Sequence, residues 1–288
     1  MYGIVRNDCT DIKLQRMHKC NTESHSRADT DKGNMTSSSS KSRDSKSNPS
    51  KTALSQAGSS QQAITNKTAV QVAVWAGIAL LIFNVGQMFV QPAALSWMPQ
   101  GFLTPILALE FLSDFDNARQ LLAQTDTAER FTHMVQWDMA VLVGYGVFLV
   151  ACVCAIFEKG MMRNIALIFA VIAPVADFVE NVQLLKLLGF FPADPHYSGE
   201  GPIDFYYLRL AVVIKFGCIA LANVRLMRPL LQRGPLERVI AGLMMVDVFA
   251  TGASFYGMPY AIEVTLYTIV VGWLLLWMLM FFNLRAMR

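Results

Sequence analysis

Charge is what this chain has least of. Only 16% of its 288 residues are Asp, Glu, Lys or Arg, where an ordinary soluble domain carries roughly a quarter. The deficit is uneven: residues 1–68 hold 11 of the 24 basic and 6 of the 21 acidic residues, which leaves 28 charges among the last 220 residues. With 54% hydrophobic residues and a mean hydropathy of +0.38, a soluble single domain is excluded. The five cysteines are an odd number, which excludes a disulfide-stapled secreted fold. Histidine is scarcer still. Only His133 and His196 fall where they would face the outer side of a membrane, too few for a three-histidine zinc centre, and no metal or cofactor is expected. Gly252-Ala253-Ser254-Phe255 lacks the second glycine of a nucleophile elbow. With no P-loop and no dinucleotide fingerprint there is no sign of nucleotide-driven work, and nucleic acid is not an expected partner.

The chain opens with MYGIVRNDC, which lacks the basic segment followed by an apolar core of a cleavable signal peptide. From Asn21 to Ser60 it is dominated by Ser, Thr, Asn, Asp and Lys, including the run Ser37–Ser40. Too few large apolar residues are present to offset the entropy of ordering, so residues 1–68 are expected to form a disordered N-terminal tail. Its six acidic residues argue against an organelle transit peptide. Cys9, His18, Cys20 and His25 match no compact zinc-finger spacing.

What the chain has in abundance is long apolar runs. Crossing a hydrocarbon core of about 30 Å takes around 20 mostly apolar residues, and six runs qualify: Ala69–Val90, Met134–Phe157, Arg163–Leu188, Ile203–Leu226, Arg238–Phe255 and Tyr260–Phe282. The fold class predicted is therefore all-α, a polytopic membrane helix bundle of about six transmembrane helices spanning 69–288. Basic residues at the span ends are Lys67, Lys159, Arg163, Arg225, Arg228, Arg233, Arg238, Arg285 and Arg288, all on one side. The loops at 189–202 and 256–259 have no Lys or Arg, and the connection at 91–133 has two against five acids. The positive-inside rule then places both termini in the cytoplasm of a plasma or inner membrane. The connection at 91–133, about 43 residues, is too long for a plain link. Leu103, Leu107 and Glu110-Phe111 follow Pro99-Gln100-Gly101, and Ser113-Asp114 precede Asn117–Ala123. That pattern predicts two short amphipathic helices at the outer face, or dipping into it as a lid.

An ionisable side chain inside a span costs at least a few kcal/mol, so each should face protein or water and have a partner. The second span carries Asp138, with Tyr145 on its face. The third carries Asp177, Glu180 and Asn181 on one stripe just after Pro174, where a kink or opened turn is expected. The fourth has Asp204, Ala211 and Lys215 on one face with Arg209 on another, the fifth Asp247 with Thr251 and Ser254, the sixth Glu263, and the first lines up Asn84, Gln87 and Gln91. With the orientation just given, these residues lie in the outer half or near the middle, which implies a polar pocket open toward the outside. Six carboxylates (Asp138, Asp177, Glu180, Asp204, Asp247, Glu263) would face only Arg209 and Lys215. They cannot all be charged and dry, so Asp177 and Glu180 are expected to share a proton with Lys215 as their partner. The Ala73/Gly77 and Gly144/Gly146 pairs predict close helix contacts. Cys152, Cys154 and Cys218 fit as small apolar fillers, and Trp273 and Trp277 as packing residues.

The order LALEFLSDFDNARQLL, WDMAVLVGYG and PVADFVENVQLLKLL resembles a group of uncharacterised multi-pass membrane proteins. These show an acidic residue before a short helix, an Asp near the start of the next span, and a D-x-x-E-N stripe. The resemblance covers about 130 residues and groups Glu110, Asp138, Asp177, Glu180 and Asn181 as a set; it implies no activity. Three functions follow from the residues. The first is transport or binding of a small polar or cationic solute, with proton-exchanging carboxylates and a ligand set of Glu110, Asp138, Asp177, Glu180, Asn181, Arg209, Lys215, Asp247 and Glu263, in a homo-oligomer. The second is a membrane-embedded acid–base enzyme acting on a lipid or isoprenoid, with Asp177, Glu180 or Asp138 catalytic. The third is an assembly or scaffold subunit in the lipid bilayer, in which the polar cluster is a static ion-pair network. Access separates them: an enzyme for lipids needs a sideways opening between helices, and a carrier needs a water path.

Overall fold

The computed structural model describes residues 66–92, 95–123, 126–190 and 203–288. The expected disordered tail lies outside these residues up to position 65, as do the tail cysteines and histidines and His196. Among the described residues the chain forms eight helices and no strand: α1 (Lys67–Val90), α2 (Pro105–Glu110), α3 (Phe115–Leu122), α4 (Thr127–Ile156), α5 (Met161–Phe190), α6 (Phe205–Leu231), α7 (Pro235–Phe255) and α8 (Pro259–Ala286). Six of them, all but α2 and α3, are long and apolar enough to cross a membrane. The protein is a multi-pass all-α membrane bundle.

Local chemistry sets the helix starts. Proline occupies the first turn of α2, α7 and α8, where its missing N–H is no loss and its fixed φ suits the helix. Asn66, Asp114 and Asp204 cap α1, α3 and α6, their side chains accepting from the backbone N–H of Ala69, Asn117 and Tyr206. Several helices outrun the apolar segments. α4 begins at Thr127, seven residues before the predicted span, and α6 continues to Leu231, because Phe131 and Leu230 in these added turns are buried in the core. α5 runs unbroken through Pro174, so the expected opened turn is absent. Gly146 of α4 leaves the room for the proline ring, since a Cβ there would press on it.

Each span packs against the next, α1 on α4, α4 on α5, α5 on α6, α6 on α7 and α7 on α8, and α8 returns to α1 to close a ring. Small residues permit the closure. A Cβ on Gly77 of α1 would overlap the Trp277 indole of α8, whose Nε1 donates to the Val74 carbonyl at 3.1 Å. Gly144 brings α4 against Leu80 of α1. Inside the ring Trp273 of α8 stacks on Tyr145 and Phe148 of α4, with ring centroids 5.5 and 6.3 Å apart. Cys152 and Cys218 are buried and Cys154 half-buried in apolar surroundings.

The short helices are not a surface loop. Leu107, Ala108, Leu109 and Glu110 of α2 are all buried, and α2 touches α5 and α6. Two devices seat it. Gly101, at φ +96, lies so close to Pro259 that a side chain would clash with that ring. Glu263 of α8 accepts from the backbone N–H of Leu103 (2.7 Å) and Thr104 (2.8 Å) and from the Thr104 hydroxyl (2.5 Å). The chain is thus held on α8 immediately before Pro105 starts α2, and α2 carries Glu110 into the bundle.

Candidate functional site

Lys215 is the centre of the site. Its Nζ lies 3.2 Å from Glu110 Oε2, 3.2 Å from Asp177 Oδ1 and 2.9 Å from Glu180 Oε2, and donates hydrogen bonds to Asp177 and Glu180. Three helices supply these groups. α6 brings Lys215, α5 brings Asp177 and Glu180 at i and i+3 on one face, and α2 brings Glu110. Glu180 is fully buried, and Glu110, Asp177 and Lys215 are each no more than 5% exposed. The ammonium also sits 4.9 Å from the Phe216 ring, which packs on Phe111.

A further polar layer adjoins the cluster. The Tyr145 hydroxyl donates to Asp177 Oδ2 at 2.8 Å. Asn181, next to Glu180, donates to Asp138 Oδ2 at 2.8 Å, and Gln87 of α1 donates to Asp138 Oδ1 at 3.3 Å. Asp138, Asn181 and Gln87 therefore tie α1, α4 and α5 together beside the ion cluster, with Asp138 and Gln87 half-buried and Asn181 buried.

Three carboxyls thus surround one ammonium, and a fourth, Asp138, lies beside them. At close contact and an effective dielectric near 20, each attractive pair is worth about 4–5 kcal/mol. Repulsion among the carboxylates and desolvation of several kcal/mol per ion oppose that gain. One cation does not neutralise four anions. The Glu110 carboxyl is held above its ordinary value of 4.5 because burial outweighs the attraction of Lys215, and it stands within hydrogen-bonding reach of Glu180. The Oε2 atoms of both glutamates are buried and receive no well-directed hydrogen bond.

Of the residues singled out in the sequence, Glu110, Asp138, Asp177, Glu180, Asn181 and Lys215 come together. Four do not join them. Arg209 is exposed on α6 and forms no ion pair among the described residues; six positions from Lys215, it lies on a different face of the helix. Asp204 is the exposed cap of α6. Glu263 is taken up by the α2 connection, and Asp247 belongs to a second buried cluster with Asn223. The expected pocket of six carboxylates facing two cations is therefore corrected to three facing one, with Asp138 beside them. Tyr145, assigned to the face of Asp138, turns to Asp177 instead. Asn223 and Thr265 escaped notice, although a buried amide in a run of Ala and Leu is itself a signal.

On its outer side the ring carries an apolar groove of about 690 Å³ along α4 between α1 and α5, bordered by Val72, Leu142, Val147, Ala170, Pro174 and Phe178. Pro174 and Gly146 at its wall neighbour Asp177 and Tyr145 in sequence. No protein-family model, no curated protein and no solved structure matches this chain.

Proposed function

We propose that this membrane protein binds and carries a small cationic solute in exchange for protons. Glu110, Asp177 and Glu180 are the solute-binding carboxyls, and Lys215 is the cation that holds their place when the solute is absent. The observation that carries the reading is the cluster itself: three carboxyls about one ammonium, sealed by a short helix that itself supplies one of the ligands. An incoming ammonium competes with Lys215 for the same oxygens, and the carboxyl proton leaves as the new charge arrives. Phe216 and Phe111 line the same space and suit an organic cation. The distribution of Lys and Arg places both termini in the cytoplasm and turns the α2 end outward.

The test is a proton-flux measurement in liposomes carrying the full chain and an internal pH dye, with tetramethylammonium, choline and spermidine as probes. A solute-evoked flux that Asp177→Asn and Glu180→Gln abolish, while both variants remain folded, supports the reading. Identical responses from wild-type and Glu180→Gln liposomes overturn it.

The groove along α4 favours a second reading, an acid–base enzyme for a lipid-soluble substrate that enters sideways. Single cysteines beside Asp138, Glu180 and Lys215, probed with a membrane-impermeant thiol reagent, separate the two. Labelling down to the level of Lys215 supports the carrier, and labelling only by a lipid-soluble reagent supports the enzyme.

A further inference from the structure

Away from Lys215, α6, α7 and α8 enclose a second polar cluster that contains only uncharged partners for a carboxylate. Asn223 of α6 donates its amide to Asp247 Oδ2 of α7 at 2.8 Å. One turn along α7, Thr251 shares a face with Asp247, and its hydroxyl oxygen is 3.3 Å from that of Thr265 on α8. All four residues are at most 2% exposed. Asp247 forms no ion pair among the described residues, so its charge has no protein counterion in a medium where an unpaired ion is heavily penalised.

Two oxygens of this cluster are left over. Asn223 Oδ1 and Asp247 Oδ1 are both buried and receive no hydrogen bond. They belong to the same two side chains that the 2.8 Å bond joins. The 3.3 Å between the threonine hydroxyls is long for an O–H···O bond, whose usual separation is about 2.7–2.8 Å. It matches instead the edge of a coordination shell: a hard cation with ligand distances of about 2.4 Å sets neighbouring oxygens about 3.4 Å apart. A single carboxylate calls for a single positive charge, and an all-oxygen donor set calls for a hard ion.

We propose that Asp247, Asn223, Thr251 and Thr265 form a binding site for one dehydrated sodium ion, separate from the Lys215 cluster. Asp247 supplies the charge, the Asn223 carbonyl and the two hydroxyls complete the oxygen shell, and the ion ties α6, α7 and α8 together. The site stands independently of the solute proposed for Lys215, because none of its ligands belongs to that cluster.

The test uses the full chain purified in detergent and follows its thermal midpoint in sodium, potassium or choline chloride at constant ionic strength and several pH values. Sodium should raise the midpoint saturably by several degrees, with more sodium required at lower pH as protons compete for Asp247. Asp247→Asn should abolish the sodium effect, and Thr265→Val should require about tenfold more sodium for the same shift. If Asp247→Asn does not fold, the Thr265→Val titration decides. Equal midpoints in all three salts at every pH would overturn the proposal and leave a protonated Asp247 paired with Asn223 as the neutralising device. A sodium effect that survives in Thr265→Val unchanged overturns it as well, because the ion then binds elsewhere.

Discussion

The Lys215 and Asp247 clusters meet the same difficulty, a carboxylate inside a membrane bundle, by opposite means. The first carries its own cation and an excess of acid, three carboxyls to one ammonium, and is sealed by α2. The second has one carboxylate, no protein cation and only amide and hydroxyl partners. A built-in ammonium fixes the helices that hold it but leaves an excess of acid to be accommodated. A cluster of neutral oxygens leaves the positive charge to something that can come and go. The difference teaches that the Lys215 and Asp247 clusters, although both draw on α6, are two networks with separate solutions.

Removing the cation breaks the comparison most severely. Lys215→Met leaves Glu110, Asp177 and Glu180 without a counterion, and loss of one partner of a buried pair costs about 3–5 kcal/mol. The expected outcome is a large fall in thermal midpoint, partly recovered by adding Asp177→Asn; an unchanged midpoint would mean the carboxyls are already neutral. At the other cluster, Asp247→Asn in sodium-free buffer keeps the shape and removes an uncompensated charge, so the thermal midpoint should hold or rise. A loss as large as that of Lys215→Met would erase the distinction between the clusters.

Two smaller effects sharpen it. Burial raises the Glu110 carboxyl above 4.5, so the folded protein binds more protons than the unfolded chain in that window. The Glu110 contribution is then fully present below about 4.5 and is lost as pH rises toward the folded-state value. Glu110→Gln should flatten this decline, read as the slope of thermal midpoint between pH 5 and 8. Asp114, the exposed cap of α3, is the control outside both clusters. The Ser113 hydroxyl and the Asn117 amide hold its carboxyl below 3.8, so its contribution is present above that value and lost as pH falls below it. Asp114→Ala should cost about 1 kcal/mol, confined to α3, seen as faster amide exchange there and no change at Lys215.

Much of the frame was legible before any coordinates. Six apolar runs became α1 and α4 to α8, since length and hydropathy follow from the thickness of a bilayer and need no knowledge of neighbours. The stripe of Asp177, Glu180 and Asn181 was legible because helical period alone puts them on one face, and Lys215 as their partner because a lone ammonium there has no alternative. Arg209, Asp204, Asp247 and Glu263 stand apart from Lys215 for one reason: position along a span says nothing about azimuth around the ring. Residues at similar depth on α6, α7 and α8 face different interiors. Gly77 and Gly146 told of close approach, but not that Trp277 and Pro174 would fill the space.

By itself the sequence determined that this is a membrane bundle of six spans with acid in excess inside it, because hydropathy, period and charge count are properties of the chain. Only the tertiary structure decided that Asp247 stands apart from the Lys215 cluster, that α2 enters the bundle and that Glu110 completes the ring of ligands around Lys215. Those facts depend on which helix lies beside which and on rotation about each helix axis, and packing between elements far apart in the chain sets both.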